Sequence, residues 1–264
     1  EMLRSLVGSE MCIRDRPKII HYCWFGGEKP QKVVKCIESW KKNLPDYEIK
    51  EWNKNNFDIS ELQYTLDAYK AHKYAFVSDV ARVKALYEYG GIYLDTDVEL
   101  IKSLDGLLKE RLFCGWESRD PNARYLYMNL EQSVNFGLGY GAESKHPILG
   151  EMLALYDSLN FYHEDGSLNL LSCPVYQTRV LLRHGLMQDG TTQRTAEFVV
   201  YSQEYFCPQS NVTDRLLYLT KNSFSIHHFS NSWNGGKGKI WLRNRLYRFL
   251  PFYVSDKLSG IMLF

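Results

Sequence analysis

Apolar residues along this chain follow two rhythms. Residues 18–25 (KIIHYCWF) and 112–116 (LFCGW) are short apolar runs bounded by turn or charged residues, which predicts strands. Over residues 33–42, Val33, Cys36, Ile37 and Trp40 recur at three- and four-residue spacing, which predicts an amphipathic helix. Pro45-Asp46 then turns the chain into an alternating strand over 47–52. Further helices are expected over 62–72, 104–108 and 148–159, and through Gln177 and Leu181 after Ser172-Cys173-Pro174. A hairpin is expected over 190–200 and a late edge strand over 199–207, while 120–131 reads as a polar, aromatic loop. Strands that alternate with helices over 264 residues predict one large α/β domain, or such a core with an appendage, long enough to bury a substantial interior.

The densest pattern is residues 78–99, SDVARVKALYEYGGIYLDTDVE. It reads as a helix with Ser78 at its start and Gly90-Gly91 as its stop, followed by a short strand. On the helix, Val80, Val83 and Tyr87 can face a core, and Asp79 and Arg82, three apart, share a neighbouring face. In the strand, Ile92, Leu94 and Val98 point one way while Tyr93, Asp95 and Asp97 point the other. Two carboxylates so close repel unless a cation or a shared proton relieves them. Oxygen ligands of this kind suit Mg²⁺ or Mn²⁺, held together with the phosphates of a substrate, which is what a nucleotide-sugar transferase needs. A lone D-x-D can also simply cap a turn. The apolar strand before it and the Asp-x-x-Arg helix beside it favour the metal. A helix-surface Asp and Arg at this spacing are most often a solvated pair; beside two carboxylates, the Arg82 guanidinium instead offers a planar fork of donors to sugar hydroxyls or phosphate oxygens.

A second cluster of chemically capable residues is HHFSNSW, His227 to Trp233. Imidazole is a common metal ligand, and adjacent histidines are usually a surface accident for at least one of the two. An early aromatic, Trp24, stands before Gly26-Gly27 at the end of the first strand, where a nucleoside base could stack; a core tryptophan beside a glycine turn fits equally. The glycine-rich segment 135–147 (NFGLGYGAESKHP) has no phosphate-loop spacing, and Asn135 or Glu143 could touch substrate there.

These pieces together resemble glycosyltransferase family 32, whose sugar-binding region carries a DXD motif and which includes capsular polysaccharide transferases and yeast-type initiating mannosyltransferases. A more distant likeness is to the glucosylating domain of the large clostridial toxins. The resemblance rests on PKIIHYCWFGG (17–27), Ser39-Trp40, Pro45-Asp46-Tyr47, Trp52-Asn53, the run 74–99 and HHFSNSWN (227–234), in family order. It implies a GT-A-like α/β fold with a mixed, mainly parallel central sheet flanked by helices. It further implies transfer of a sugar from a UDP- or GDP-sugar to a glycan or lipid-linked glycan acceptor, with retention of anomeric configuration. By this resemblance Asp95 and Asp97 organise Mn²⁺ or Mg²⁺, with His228 first and His227 second as the third ligand. Asp79, Arg82 and Tyr93 face the donor sugar, Trp24 stacks the base, and Asn231, Ser232 and Trp233 contact the diphosphate. Cys173 stands where the family has glycine, which questions close backbone approach to a ligand at that point. Two alternatives have other chemistry: a catalytically silent sugar-binding domain, and a haloacid-dehalogenase-type phosphatase. The second wants D-x-D-G-T, whereas Val98-Glu99 follow here.

Composition narrows the partners. A net charge of +1 leaves no footprint for nucleic acid. Six cysteines form no C-x-x-C pair, and nothing resembling a secretory signal precedes the domain, so free thiols in a reducing cytoplasm are the simplest expectation. Residues 1–16 do not belong to the pattern that begins at Pro17 and are expected to be an extension foreign to the fold, leaving 17–235 as the catalytic domain. The tail 236–264 is basic and aromatic. It is too short and too charged to span a bilayer, and it could lie peripherally on an anionic membrane's inner face or pack as a C-terminal helix.

Overall fold

The computed structural model describes residues 16–117, 119, 132–210 and 215–230. The expectations for residues 1–15, for the loop 120–131, for Asn231, Ser232 and Trp233, and for the tail 236–264 lie outside those residues.

The first strand, β1 (Ile19–Cys23), runs parallel to β2 (Glu48–Trp52) on one side and to β3 (Gly91–Tyr93) on the other. From β3 the sheet continues antiparallel through β7 (Tyr140–Ala142) to β5 (Leu112–Trp116), then parallel to β9 (Val199–Tyr201) and antiparallel to the edge strand β8 (Gln193–Arg194). The two-residue β6 (Val134–Asn135) also pairs with β5. Alternation sorts the side chains to two faces. Cys23, Tyr93, Leu112, Cys114 and Trp116 join one apolar cluster, with α2 (Gln63–Lys70), α3 (Tyr74–Tyr89), α4 (Pro147–Asp157) and α5 (Cys173–Arg183) packed over it. Ile20, Tyr22, Ile92, Leu94 and Phe113 join the other, covered by α1 (Gln31–Asn43) and the short α6 (Gln203–Phe206). The result is an α/β domain with a mixed central sheet between helices.

Most helices fall where periodicity placed them, and three details differ. The central helix α3 starts at Tyr74, a turn before Ser78; the Ser78 hydroxyl donates to the Tyr74 carbonyl at 3.1 Å inside the helix instead of capping it. Its stop is as expected. Gly90 closes the helix at φ 69° and Gly91 follows at φ 98°, and a Cβ on Gly91 would lie 2.7 Å from the Ile19 carbonyl. The strand over 199–207 is shorter and interior: β9 is shielded by β8, and the chain turns into α6 after Ser202. Finally, the strand that was to carry the two aspartates ends at Tyr93. Residues 94–97 form a turn closed by the Val98 N–H on the Asp95 carbonyl at 3.0 Å, and β4 (Val98–Leu100) leaves the main sheet to pair with β10 (Ser225–His227).

That small second sheet is tied to α1. Trp40 Nε1 donates to the Val98 carbonyl at 2.7 Å, Asn43 Nδ2 to the Leu100 carbonyl at 3.0 Å, and the Leu100 N–H to Ser39 Oγ at 2.9 Å. The main sheet is tied to the helix stop by His21, 0% exposed, which accepts from Trp52 Nε1 at 3.0 Å and reaches the Gly90 carbonyl with Nε2, also at 3.0 Å. The five cysteines among the described residues are buried. No helix among them is long and apolar enough to cross a membrane.

Candidate active site

The turn after β3 and the end of β10 meet. His227 pairs across the small sheet with Val98, next to the turn, and its Nε2 lies 3.2 Å from Asp97 Oδ1 and 4.0 Å from Asp95 Oδ2. One ligand atom from each of Asp95, Asp97 and His227 can be chosen so that all three lie within 4.8 Å of one another. Two carboxylate oxygens and an imidazole nitrogen converging in this way form a donor set fit for a divalent cation. The sequence ranked His228 ahead of His227, and the geometry reverses that order. Successive side chains diverge at the end of β10, so His228 points away and its Nε2 lies 2.9 Å from Glu99.

Electrostatics inside the turn are uneven. Burial pushes the Asp95 carboxyl up, and the charge of Asp97 adds to this against the pull of Arg82. Asp97 shares the burial, but His227 and the Ser230 N–H, 2.7 Å from its Oδ2, outweigh it and hold its pKa below the usual carboxylate range. Burial disfavours charge on His227 as well, yet the two aspartates outweigh it and raise its pKa. The shift favours the charged imidazole beside the two carboxylates, to which Arg82 adds its own positive charge at Asp95.

Behind Asp95 lies a second polar chain. Arg82 Nη2 bridges Asp79 Oδ1 at 2.9 Å and Asp95 Oδ1 at 3.3 Å, and the guanidinium carbon stands 5.0 Å from the centre of the Tyr93 ring. Tyr93 donates its hydroxyl to the same Asp95 oxygen at 2.9 Å. A solvated helix-surface pair is ruled out, because the Asp79 and Arg82 side chains are 9% and 5% exposed. Burial lifts the Asp79 carboxyl to about 6 against the opposing charge of Arg82, and the Cys173 thiol hydrogen-bonds to it. Asp95, at 26% exposed, is the member of this chain that faces the open side.

A glycine makes room for that carboxylate. Gly137 stands in the 3-10 turn Phe136–Leu138 after β6, where the Asn135 side chain accepts its N–H at 2.7 Å. A Cβ there would sit 2.2 Å from Asp95 Oδ2. The sequence set Asn135 near the pocket but gave no sign that Gly137 was the contact, since the three alternating glycines match no ligand-binding spacing.

Beside Asp97 a cavity of about 190 Å³ opens, lined by Lys32, Lys35, Cys36, Asp97, Glu99, His228 and Ser230. Trp24 is not among its lining residues. It follows β1 directly, donates Nε1 to the Gly27 carbonyl at 2.6 Å, and packs partly buried on the apolar cluster that also holds Cys36. Glu143, the other substrate candidate of the glycine-rich segment, pairs with Arg111 at 2.6 Å.

Comparison with known proteins bears on the same region. Residues 30–114 match the family model described as glycosyltransferase sugar-binding region containing DXD motif. Inositol phosphoceramide mannosyltransferase 3 of Schizosaccharomyces pombe is 40% identical over 96 residues, covering 35% of this chain and 27% of that protein. Mannosyl phosphorylinositol ceramide synthase CSH1 of Saccharomyces cerevisiae is 33% identical over 101 residues, covering 37% and 27% respectively. The chain thus spans about a quarter of the length of these two relatives. Among solved structures, the PaToxG glycosyltransferase superposes with a TM-score of 0.47 at 19% identity over 64% of this chain and 70% of that one. Asp79, Arg82, Tyr93, Asp95 and Asp97 fall inside the matched region, and Trp24 and His227 outside it. Residues 30–114 are thus similar to a glycosyltransferase sugar-binding region, and Asp95-Thr96-Asp97 is the D-x-D inside the matched stretch.

Proposed function

We propose that this chain transfers a sugar from a nucleoside diphosphate sugar to a glycan or lipid-linked acceptor, with Mn²⁺ or Mg²⁺ held by Asp95, Asp97 and His227. The convergence of those three ligand atoms within 4.8 Å carries the reading. When bound, the cation neutralises the charge that builds on the departing nucleoside diphosphate. Asp97 is held for this task by the N–H groups of its neighbours: Ser230 donates to its carboxylate and His228 to its carbonyl, at 2.7 and 3.0 Å. Arg82, fixed from behind by Asp79, holds Asp95 in register and keeps a positive charge beside the donor sugar. His227 must give up its proton to become a ligand, so cation and proton compete at this ring.

The similarity to inositol phosphoceramide mannosyltransferases makes a mannosyl donor and an inositol-phosphoceramide-type acceptor the first pair to test. The family resemblance adds retention of anomeric configuration, a base stacked on Trp24, and diphosphate contacts from Asn231, Ser232 and Trp233; the basic, aromatic composition of 236–264 adds, beside a packed C-terminal helix, a peripheral place on the inner face of an anionic membrane. Thermal-shift measurements with UDP- and GDP-sugars, with and without Mn²⁺, followed by donor hydrolysis, test the proposal. A metal-dependent rise in melting temperature with hydrolysis of one donor is expected. No nucleotide binding with metal present overturns it, and binding without any turnover reduces the chain to a sugar-nucleotide-binding domain.

A further inference from the structure

Close to the Asp79–Arg82–Asp95 chain lies a buried polar group without a protein partner among the described residues. Gln177, on α5, is 1% exposed, and its Nε2 has no hydrogen-bond partner among the described residues. Its orientation is determined by the other end of the amide. Oε1 accepts the Phe136 N–H at 2.9 Å, and a flipped amide would set two donors against each other, so Nε2 is the free end. A donor buried without an acceptor destabilises the fold, and such a group in a native protein calls for an explanation.

Its position suggests one. Cys173, one turn earlier on the same helix face, has its thiol on Asp79. Phe136, which Gln177 holds, opens the 3-10 turn that sets Gly137 against Asp95. Gln177 is therefore bracketed by the two carboxylates that grip Arg82, on an element outside residues 30–114. A second orphan, the Tyr156 hydroxyl, also feels Asp79, but its ring packs among the rings of Tyr64 and Tyr176, at 5.6 and 5.9 Å between centroids.

We infer that Gln177 is a specificity residue for the donor sugar: its Nε2 donates to one hydroxyl oxygen of the hexose held beside Asp79, Arg82 and Asp95. The inference rests on the transferase reading above and adds the group that selects the sugar. A site that hydrogen-bonds a substrate hydroxyl rejects the analogue lacking it, because the protein donor is then left unpaired.

The test uses the full chain with Mn²⁺, and GDP-mannose and UDP-glucose as donors. Gln177→Glu keeps an acceptor for Phe136 and removes the free donor; Gln177→Met, of similar length, serves if the charge prevents folding. The expected result is a fall of at least tenfold in kcat/KM for donor hydrolysis, with the Kd of GDP or UDP alone unchanged within twofold. Among monodeoxy analogues of the preferred donor, one is expected to be hydrolysed equally by wild type and variant. The inference is overturned if a folded variant keeps the wild-type kcat/KM, if sugar-free nucleotide binding weakens in step, or if every analogue shows the same ratio between the two proteins. A wild type that binds no nucleotide removes the transferase reading and this inference with it; a wild type that turns over donor beside an equally active variant removes only this one.

Discussion

Gly137→Ala should damage the metal site more than the fold. An ideal Cβ at this position falls 2.2 Å from Asp95 Oδ2, 3.1 Å from Asp95 Cγ and 2.9 Å from Asn135 Oδ1. Comfortable contact needs about 3.5 Å, so the carboxylate oxygen must retreat by roughly 1 Å or more. Asp95 can do so only by loosening Oδ1 from Tyr93 and Arg82, at 2.9 and 3.3 Å. Charge-assisted bonds of this kind contribute roughly 1.5–3 kcal/mol each. Gly137 is not in the left-handed region, so alanine adds no backbone strain, and its stiffer unfolded chain returns about 0.4–1 kcal/mol. The net cost to folding is then roughly 1–3 kcal/mol, a melting-temperature fall of about 2–10 °C. The loss in Mn²⁺ affinity should reach about 10- to 100-fold, the usual penalty for disturbing a group that orients a metal ligand. Calorimetric Mn²⁺ titration and a thermal melt on the same sample separate the two effects. If the variant binds Mn²⁺ within twofold of wild type, either Asp95 is not a ligand or the glycine is not what positions it.

Other perturbations act on separate parts of the site and the core. His227→Ala should abolish Mn²⁺ binding and His228→Ala should leave it within a few-fold, because the second ring is engaged with Glu99; in the wild type, metal affinity should climb as pH rises through the raised pKa of His227, and equal losses in the two variants would contradict the assignment. His21 is held neutral by burial, its pKa pulled to about 4. Because the unfolded chain takes up the proton first, stability is full above about pH 6.5 and drains away as pH falls toward 4, by about 3 kcal/mol, and His21→Gln should flatten that part of a melting-temperature profile. Tyr156→Phe removes a buried hydroxyl without a partner among the described residues, so denaturant unfolding should show no loss and a gain of up to about 1 kcal/mol; a clear loss would mean that the hydroxyl is satisfied after all.

Much of the fold was legible because its signals are local. Val33, Cys36 and Trp40 recur at helical spacing and all three are buried in α1. Gly90-Gly91 stops the central helix because both glycines take positive φ. Ser78 misled for an equally local reason: its hydroxyl can bond a preceding carbonyl within the helix or cap an end, and the residue type does not say which. The late strand misled because the sequence cannot tell that β8 lies outside β9.

The site divides along the same line. Residue types and spacing alone determined that two carboxylates lie two residues apart after an apolar run, that an Asp and an Arg share a helix face, and that histidines are available near the end of the domain. Tertiary structure decided which histidine turns inward, that Asp79 and Arg82 are buried instead of solvated, that Gly137 is the cradle for Asp95, and that Gln177 has an amide hydrogen to spare. Those outcomes depend on distances between segments 40 to 130 residues apart, established only when α1 anchors β4 and β10 comes to lie beside it. A side chain's neighbours along the chain limit its backbone, whereas its charge state, its partners and its chemistry come from whatever the packing brings within a few ångströms.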